Sequence, residues 1–269
     1  VYSYGTELEI GYNRCFNDFR FNAAGIFSFS RNWIARTIED PGLSENALRT
    51  GHPVNQFFGL ESLGFFNDET EIEEHFKQTF SAVRPGDVKY RNQNGDGVID
   101  ENDEVPIGYG NVPELSFSLN IGFEYKGIGF DAMFQGVGNY SAYLSVPGIY
   151  RPIVNNANVS EDYLSRCWMP DGSNQSPEYP RLTATGSSNN YRLNSIWIKD
   201  ASFLKLRYCN LYYQFPAALT EKIRIKDLKI FVRGMNLFSI DGIRIMDPES
   251  IDTGMPAERS ISVGISAKF

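Results

Sequence analysis

The stretch Leu115-Ser116-Phe117-Ser118-Leu119-Asn120-Ile121-Gly122-Phe123-Glu124-Tyr125-Lys126-Gly127-Ile128-Gly129-Phe130-Asp131-Ala132-Met133-Phe134 decides the fold. Leu115, Phe117, Leu119, Ile121, Phe123 and Tyr125 share one parity, and Ser116, Ser118, Asn120 and Glu124 hold the other. A period of two places the first set on one face of a pleated strand and the second on the opposite face. Lys126-Gly127 turns the chain, and Ile128, Phe130, Ala132 and Phe134 resume the alternation. The result is a hairpin of two long strands, apolar on one side and polar on the other.

Upstream the design repeats. Phe19, Phe21, Ala23, Gly25, Phe27 and Phe29 alternate with residues that include Arg20, Asn22, Ser28 and Ser30. Before them, Leu8, Ile10 and Tyr12 alternate with Glu7, Glu9 and Asn13, and Asn17-Asp18 joins the two runs as a turn. Downstream, Leu204, Leu206 and Tyr208 belong to one strand, residues 228–240 to another, and Ile261, Val263, Ile265, Ala267 and Phe269 to a last one. Within 196–215 the parity changes as Tyr208 gives way to Leu211 and Tyr213, which predicts a bulge. The total is about seven strands. Their connections alternate: tight at Asn17 and Lys126, moderate over 216–227, long over 31–112 and 145–199, and a last loop over 241–257. Short turns on one side and long loops on the other are the pattern of a membrane barrel. Strands of this length also exceed the roughly five or six residues usual in soluble sheets and match the roughly 9–11 that cross a bilayer at a steep tilt.

Composition narrows the classes. The chain has 269 residues, 42% of them hydrophobic and 14% aromatic, with 25 basic and 33 acidic side chains for a net charge of -8. That balance argues against a nucleic-acid binder, which needs clustered Lys and Arg to neutralise phosphate, and against an anionic membrane surface as partner. No run approaches the roughly 20 apolar residues of a membrane helix, a test that a β-barrel escapes. Cys15, Cys167 and Cys209 form no CxxC pair and read as isolated thiols. An odd strand count cannot close a single-chain bacterial barrel, and an open sheet would leave two unpaired edges. Two readings remain: one segment of a larger antiparallel transmembrane β-barrel, or a soluble sandwich.

The loops carry the candidate chemistry. Residues 68–80 read as a short helix with Asp68 and Glu71 as a capping box and Ile72, Phe76 and Phe80 on one face. His75 beside Glu71 and Glu74 reads as a metal site or as a solvated acidic face. The run Asn92-Gln93-Asn94-Gly95-Asp96-Gly97-Val98-Ile99-Asp100-Glu101-Asn102-Asp103 follows calcium-loop logic. Asn92, Asn94, Asp96, Asp100 and Asp103 would give side-chain oxygens and Val98 its carbonyl, with Gly97 at the sharp turn. It departs from that pattern at Asn92, where Asp is usual, and at Asp103, shorter than Glu. The alternative is a metal-free loop of Asx turns. Enzyme templates fail: there is no HExxH or G-x-S-x-G, and Gly127, Gly129 and Ala132 open a strand rather than a phosphate-binding helix, so no catalytic residue is assigned. In the second long loop, Tyr150, Arg151, Tyr163 and Trp168 lie among Pro147, Pro152 and Pro170. They read either as a surface for a ligand or partner, or as packing of the loop on itself.

These residues resemble a known family. Gly86-Asp87-Val88-Lys89-Tyr90 leading into Asn94-Gly95-Asp96-Gly97-Val98-Ile99-Asp100, then Ile107-Gly108, Phe134-Gln135-Gly136-Val137-Gly138, Trp197 with Asp200-Ala201-Ser202-Phe203-Leu204-Lys205-Leu206, Gly234-Met235-Asn236-Leu237-Phe238, Asp247-Pro248-Glu249 and Phe269 are similar to the SusC-like branch of TonB-dependent outer-membrane transporters. The resemblance spans nearly the whole chain, residues 1–269. It implies an all-β fold: the C-terminal part of a roughly 22-stranded barrel, a size class whose lumen is plugged by a separate domain. It also implies short periplasmic turns near Asn17 and Lys126 and extracellular loops over 31–112, 145–199 and 241–257. The implied function is TonB-dependent uptake of oligosaccharides or peptides in the outer membrane of a Bacteroidetes-type bacterium. A SusD-like surface lipoprotein would serve as lid, outer-membrane lipid would surround the strands, and calcium would staple the 92–103 loop. The rivals are a siderophore or cobalamin receptor on the same barrel and, from another class, a soluble calcium-stabilised carbohydrate-binding β-sandwich or adhesin.

Overall fold

The computed structural model describes residues 1–243, 245–251, 255 and 257–269. Seven strands form one sheet: β1 (Tyr2–Phe16), β2 (Phe19–Trp33), β3 (Leu115–Tyr125), β4 (Ile128–Gly138), β5 (Phe203–Gln214), β6 (Asp227–Asp241) and β7 (Ser260–Lys268). Each pairs antiparallel with the next in sequence, an up-and-down meander with both edges open. Two hairpins close through two residues, where Asn17 (φ 49°) and the Lys126-Gly127 pair (φ 47° and 85°) adopt the left-handed conformation that such turns demand.

Register carries the alternation across the whole sheet. Leu8 faces Phe27, which faces Phe117; Phe123 faces Phe130, which faces Leu211, then Val232, then Val263. The same-parity residues Leu8, Ile10, Phe117, Leu119, Leu211, Ile230, Val232, Ile261, Val263 and Ile265 are all exposed. Among the described residues no second sheet covers this face, so the sandwich reading fails: a water-soluble domain does not leave so extensive an apolar band bare. Aromatic residues mark both margins of the band. Tyr4 packs edge-on against Phe29 (5.9 Å) and Trp33 (5.4 Å) at the loop end, and Tyr213 packs against Phe215 (4.9 Å) at the turn end, as interfacial girdles require. The opposite face carries Glu9, Asn13, Arg20, Asn22, Ser118, Glu124, Asp131 and Asn210. Among the described residues no helix is long and apolar enough to cross a membrane.

The loops begin and end slightly off the sequence-based bounds. The first spans 34–114 rather than 31–112, because β2 runs on to Trp33 where Arg31 forks onto Glu114 (Nε to Oε1 2.8 Å, Nη2 to Oε2 2.6 Å). The second spans 139–202 rather than 145–199, because β4 stops at Gly138 and Ser141–Tyr143 then pairs with Ile198–Asp200 as a separate two-stranded ladder. The last spans 242–259, and the strand expected over 228–240 extends by one residue at each end. The helix expected over 68–80 is a single short piece, Glu69–Glu74, capped by Asp68, whose side chain accepts the Glu71 N–H at 2.8 Å. It ends at His75 because the following residues are drawn into extended pairing, Lys77–Gln78 running parallel to Val98–Ile99. A bulge is present in β5, but it lies at Arg207, before Tyr208 rather than between Tyr208 and Leu211, and the register with both neighbours slips there.

Candidate functional site: a rim of packed loops

The hydrophobic core lies in the loops, not in the sheet. Leu60, Val88, Tyr90 and Ile99 from the first loop meet Leu144, Tyr163, Tyr179, Tyr191 and Trp197 from the second. Trp197, 0% exposed, is the hub: Tyr150 packs edge-on at 5.3 Å, Tyr179 stacks at 6.0 Å, and the indole Nε1 donates to the Asn190 carbonyl at 2.7 Å. Buried amides knit the two loops together. Asn190 accepts the Val88 N–H (2.9 Å) and donates to Asp87 (2.8 Å), Gln78 donates to Asn189 (2.7 Å), and Asn194 donates to the Tyr90 hydroxyl (2.7 Å). Backbone pairs complete the join, Leu60 N–H to Leu193 O at 3.0 Å and Arg181 N–H to Gly86 O at 2.9 Å. Buried amides paired in this way rigidify the join. Burial raises the pKa of Tyr90, Tyr163 and Tyr179, so these phenols stay neutral.

The four aromatic and basic candidates separate. Tyr163 is 0% exposed, stacked on Tyr179 at 4.8 Å with its hydroxyl donating to the Pro180 carbonyl, so it packs the core and meets no ligand from solvent. Tyr150 is half-buried, and its hydroxyl donates to the Tyr191 carbonyl. Arg151 is exposed and lies over the Tyr150 ring, 5.5 Å from its centroid. Trp168 lines a groove of about 420 Å³ with Met169, Leu182, Arg84, Arg181 and Glu69. Gly86 makes room for that indole: with φ +85°, a Cβ placed there would lie 2.4 Å from the Trp168 ring.

The loop 92–103 folds on its own Asx turns. Asn92 Oδ1 accepts Gly95 N–H (2.7 Å), Asn94 Oδ1 accepts Asp96 N–H (3.0 Å), and Asp96 Oδ1 accepts Val98 N–H (2.9 Å). Asp103 is 0% exposed and closes the ring, its carboxylate accepting from Gln93 N–H (2.6 Å) and Asp100 N–H (2.9 Å). Ile99, also 0% exposed, pins the loop into the core. The donor set is the hard-oxygen set that calcium prefers. One buried atom lacks a partner, the Asn92 amide nitrogen, which occupies the place of a second carboxylate oxygen in an Asp. Among the described residues no three His, Cys, Asp or Glu side chains gather as a metal site, and His75, whose Nε2 lies 2.9 Å from the Tyr90 carbonyl, packs against Phe66 rather than collecting Glu71 and Glu74.

Sequence reasoning missed a second fixture. Lys205, 2% exposed, projects from the polar face of β5 and pairs with Asp247 and with Glu249 (2.7 Å) of the final loop. Arg207 joins Glu249 as well, and its Nε donates to Gln135 of β4 at 2.8 Å. The signal was available as matching spacings, Lys-x-Arg on the strand and Asp-x-Glu on the loop. Burial raises both carboxyls, and the facing cations more than reverse this, so Asp247 and Glu249 lie below the ordinary carboxylate range.

Comparisons with known proteins agree with this architecture. No protein-family model matches the chain. The chain is 26% identical over 247 residues to TonB-dependent receptor P26 of Formosa agariphila, covering 85% of this chain and 24% of that receptor. It is 22% identical over 299 residues to TonB-dependent receptor P3 of the same organism, covering 98% and 28%. Among solved structures, the RagAB peptide transporter superposes with a TM-score of 0.70 at 18% identity, over 99% of this chain and 29% of that one. The RagAB peptide importer in its closed-closed state gives 0.67 at 16% identity, over 99% and 29%. The chain thus spans between 24% and 29% of the length of these relatives. Its homologues are TonB-dependent receptors, and its seven strands match an open segment of the β-barrel fold of such a transporter.

Proposed function

We propose that this chain forms part of the wall and mouth of an outer-membrane importer that takes up peptides or oligosaccharides, is driven through TonB and is lidded by a SusD-like surface lipoprotein. The observation that carries the reading is the packed rim: two loops leaving different hairpins on the same side of the sheet fold round one core, so the mouth is a fixed platform. Likeness to structures titled as a peptide transporter supports peptides as the first class to test. Trp168 in its groove and the exposed Arg151 are the proposed contact points for ligand or lid. The test compares cells with and without the full-length gene, in TonB-positive and TonB-negative backgrounds, for uptake of labelled peptide and oligosaccharide mixtures and for co-purification of a lipoprotein. Loss of uptake of one class, in both the gene deletion and the TonB deletion, is expected. Unchanged uptake of both with impaired growth under iron limitation would favour the siderophore reading instead.

The same reading assigns calcium to the 92–103 loop, with Asn92, Asn94, Asp96, Asp100, Asp103 and the Val98 carbonyl as oxygen donors. Calcium there would staple the rim. Because Asn92 offers one oxygen where Asp offers two, affinity belongs to the weak range of extracellular modules, about 10⁻⁴–10⁻³ M. Asn92→Asp is expected to tighten it by about tenfold, through the added negative ligand. Terbium luminescence of the full-length protein in detergent, competed with calcium, measures both. No calcium-displaceable signal in either protein would leave the loop as an Asx-turn structure only.

A further inference from the structure

A second cavity lies where the second loop meets the final one. Its volume is about 270 Å³, and its lining includes Leu144, Ile243 and Ile245 together with Arg166, Glu178, Tyr179 and Lys199. Lys199 is held in place by backbone pairing, since it lies opposite Ala142 in the Ser141–Tyr143 and Ile198–Asp200 ladder.

The charges lining this cavity are unevenly satisfied. Arg166 is committed to Asp162 and to Glu178 (2.9 Å). Asp162 is engaged again by the Tyr179 hydroxyl at 3.1 Å. The Lys199 ammonium has no hydrogen-bond or ion-pair partner among the described residues, although the residue is half-buried. Burial lowers its pKa, Glu178 partly opposes this from beyond ion-pair distance, and Arg166 adds to it. An ammonium carries three donors and is costly to withdraw from water unless an acceptor meets it. The cavity beside it has room for one, and the aliphatic side chains among its lining, Leu144, Ile243 and Ile245, would favour a small apolar group next to that acceptor.

We propose that this cavity is a binding subsite for a carboxylate carried on a small branched aliphatic group. Lys199 takes the carboxylate, and Leu144, Ile243 and Ile245 take the aliphatic part. The C-terminal residue of a short peptide and a free branched short-chain acid both present this chemistry. The subsite is a property of these two loops and does not depend on what the whole protein imports.

The test is equilibrium binding by calorimetry to the full-length protein in detergent, with no transport step involved. The probes are N-acetyl-leucine, N-acetyl-leucinamide and 4-methylpentanoate. N-acetyl-leucine is expected to bind about tenfold or more tightly than its amide, the margin of one charge-assisted hydrogen bond. Lys199→Met, which keeps the stem and removes the charge, should equalise the pair, and Lys199→Arg should retain the preference. Binding of 4-methylpentanoate as well as N-acetyl-leucine identifies a general acid subsite, whereas binding of N-acetyl-leucine alone identifies a peptide terminus. Equal affinity for acid and amide, an acid preference that survives in Lys199→Met, or no binding of either acid overturns the proposal.

Discussion

Lys205→Met in the full-length protein is expected to free the final loop from the barrel wall. The substitution keeps most of the aliphatic stem and deletes the ammonium, so Asp247 loses its cationic partner and Glu249 keeps only Arg207. Breaking a buried ion pair from one side leaves a stranded charge and costs about 3 kcal/mol. Hydrogen exchange reads this locally: amides of residues 245–251 should lose protection while those of β5 and β6 change little. The pH dependence follows from the lowered carboxyl pKa values of Asp247 and Glu249. Groups held below their unfolded values contribute stability that is fully present above the ordinary carboxylate range, near pH 4, and is lost as pH falls through the lowered values. The loop of the unsubstituted protein should therefore hold its protection from pH 7 down to about 4 and open below that. Opening between pH 7 and 5, or none at any acidic pH, would contradict the assignment.

Trp197→Ala is expected to unfold the rim without unfolding the sheet. The indole packs against Tyr150, Tyr179 and Tyr191 in the core that the two loops share and donates to the Asn190 carbonyl, so its removal leaves a cavity in that core and an acceptor short of its donor. Large aromatic deletions in a core cost about 3–5 kcal/mol. Limited proteolysis of whole cells should then cut within 34–114 and 139–202, while the heat-modifiable migration typical of a folded outer-membrane barrel persists. Loss of both together would mean that the rim and the barrel fold as one unit.

The sheet was legible in the sequence because a strand exposed to lipid on one side and polar on the other writes its environment into alternate residues. Leu115 to Phe134 need no partner to declare themselves, and even the parity slip near Arg207 showed through. The loops were less legible for a physical reason. Tyr150, Tyr163 and Trp168 have the same composition whether they face a ligand or each other, and only stacking on Tyr179, which stacks in turn on Trp197, decides that Tyr163 is interior. The helix expected over 68–80 failed because pairing of Lys77–Gln78 with Val98–Ile99, remote in sequence, outcompeted a local periodicity. The carboxylates of Asp247 and Glu249 looked like any acidic loop until Lys205 and Arg207 were set opposite them.

The shared core of the first two loops has a consequence for engineering. Gly59 lies so close to the second loop that a Cβ there would fall 2.4 Å from the Leu193 carbonyl oxygen, and Asn190 serves residues of both segments. Grafting one loop from a relative onto this scaffold would import half an interface and leave the other half mismatched. The unit of exchange is the pair, a two-part cassette that shares the β3–β4 hairpin as its common anchor, and altered specificity at this mouth should come from swapping residues 34–114 and 139–202 together.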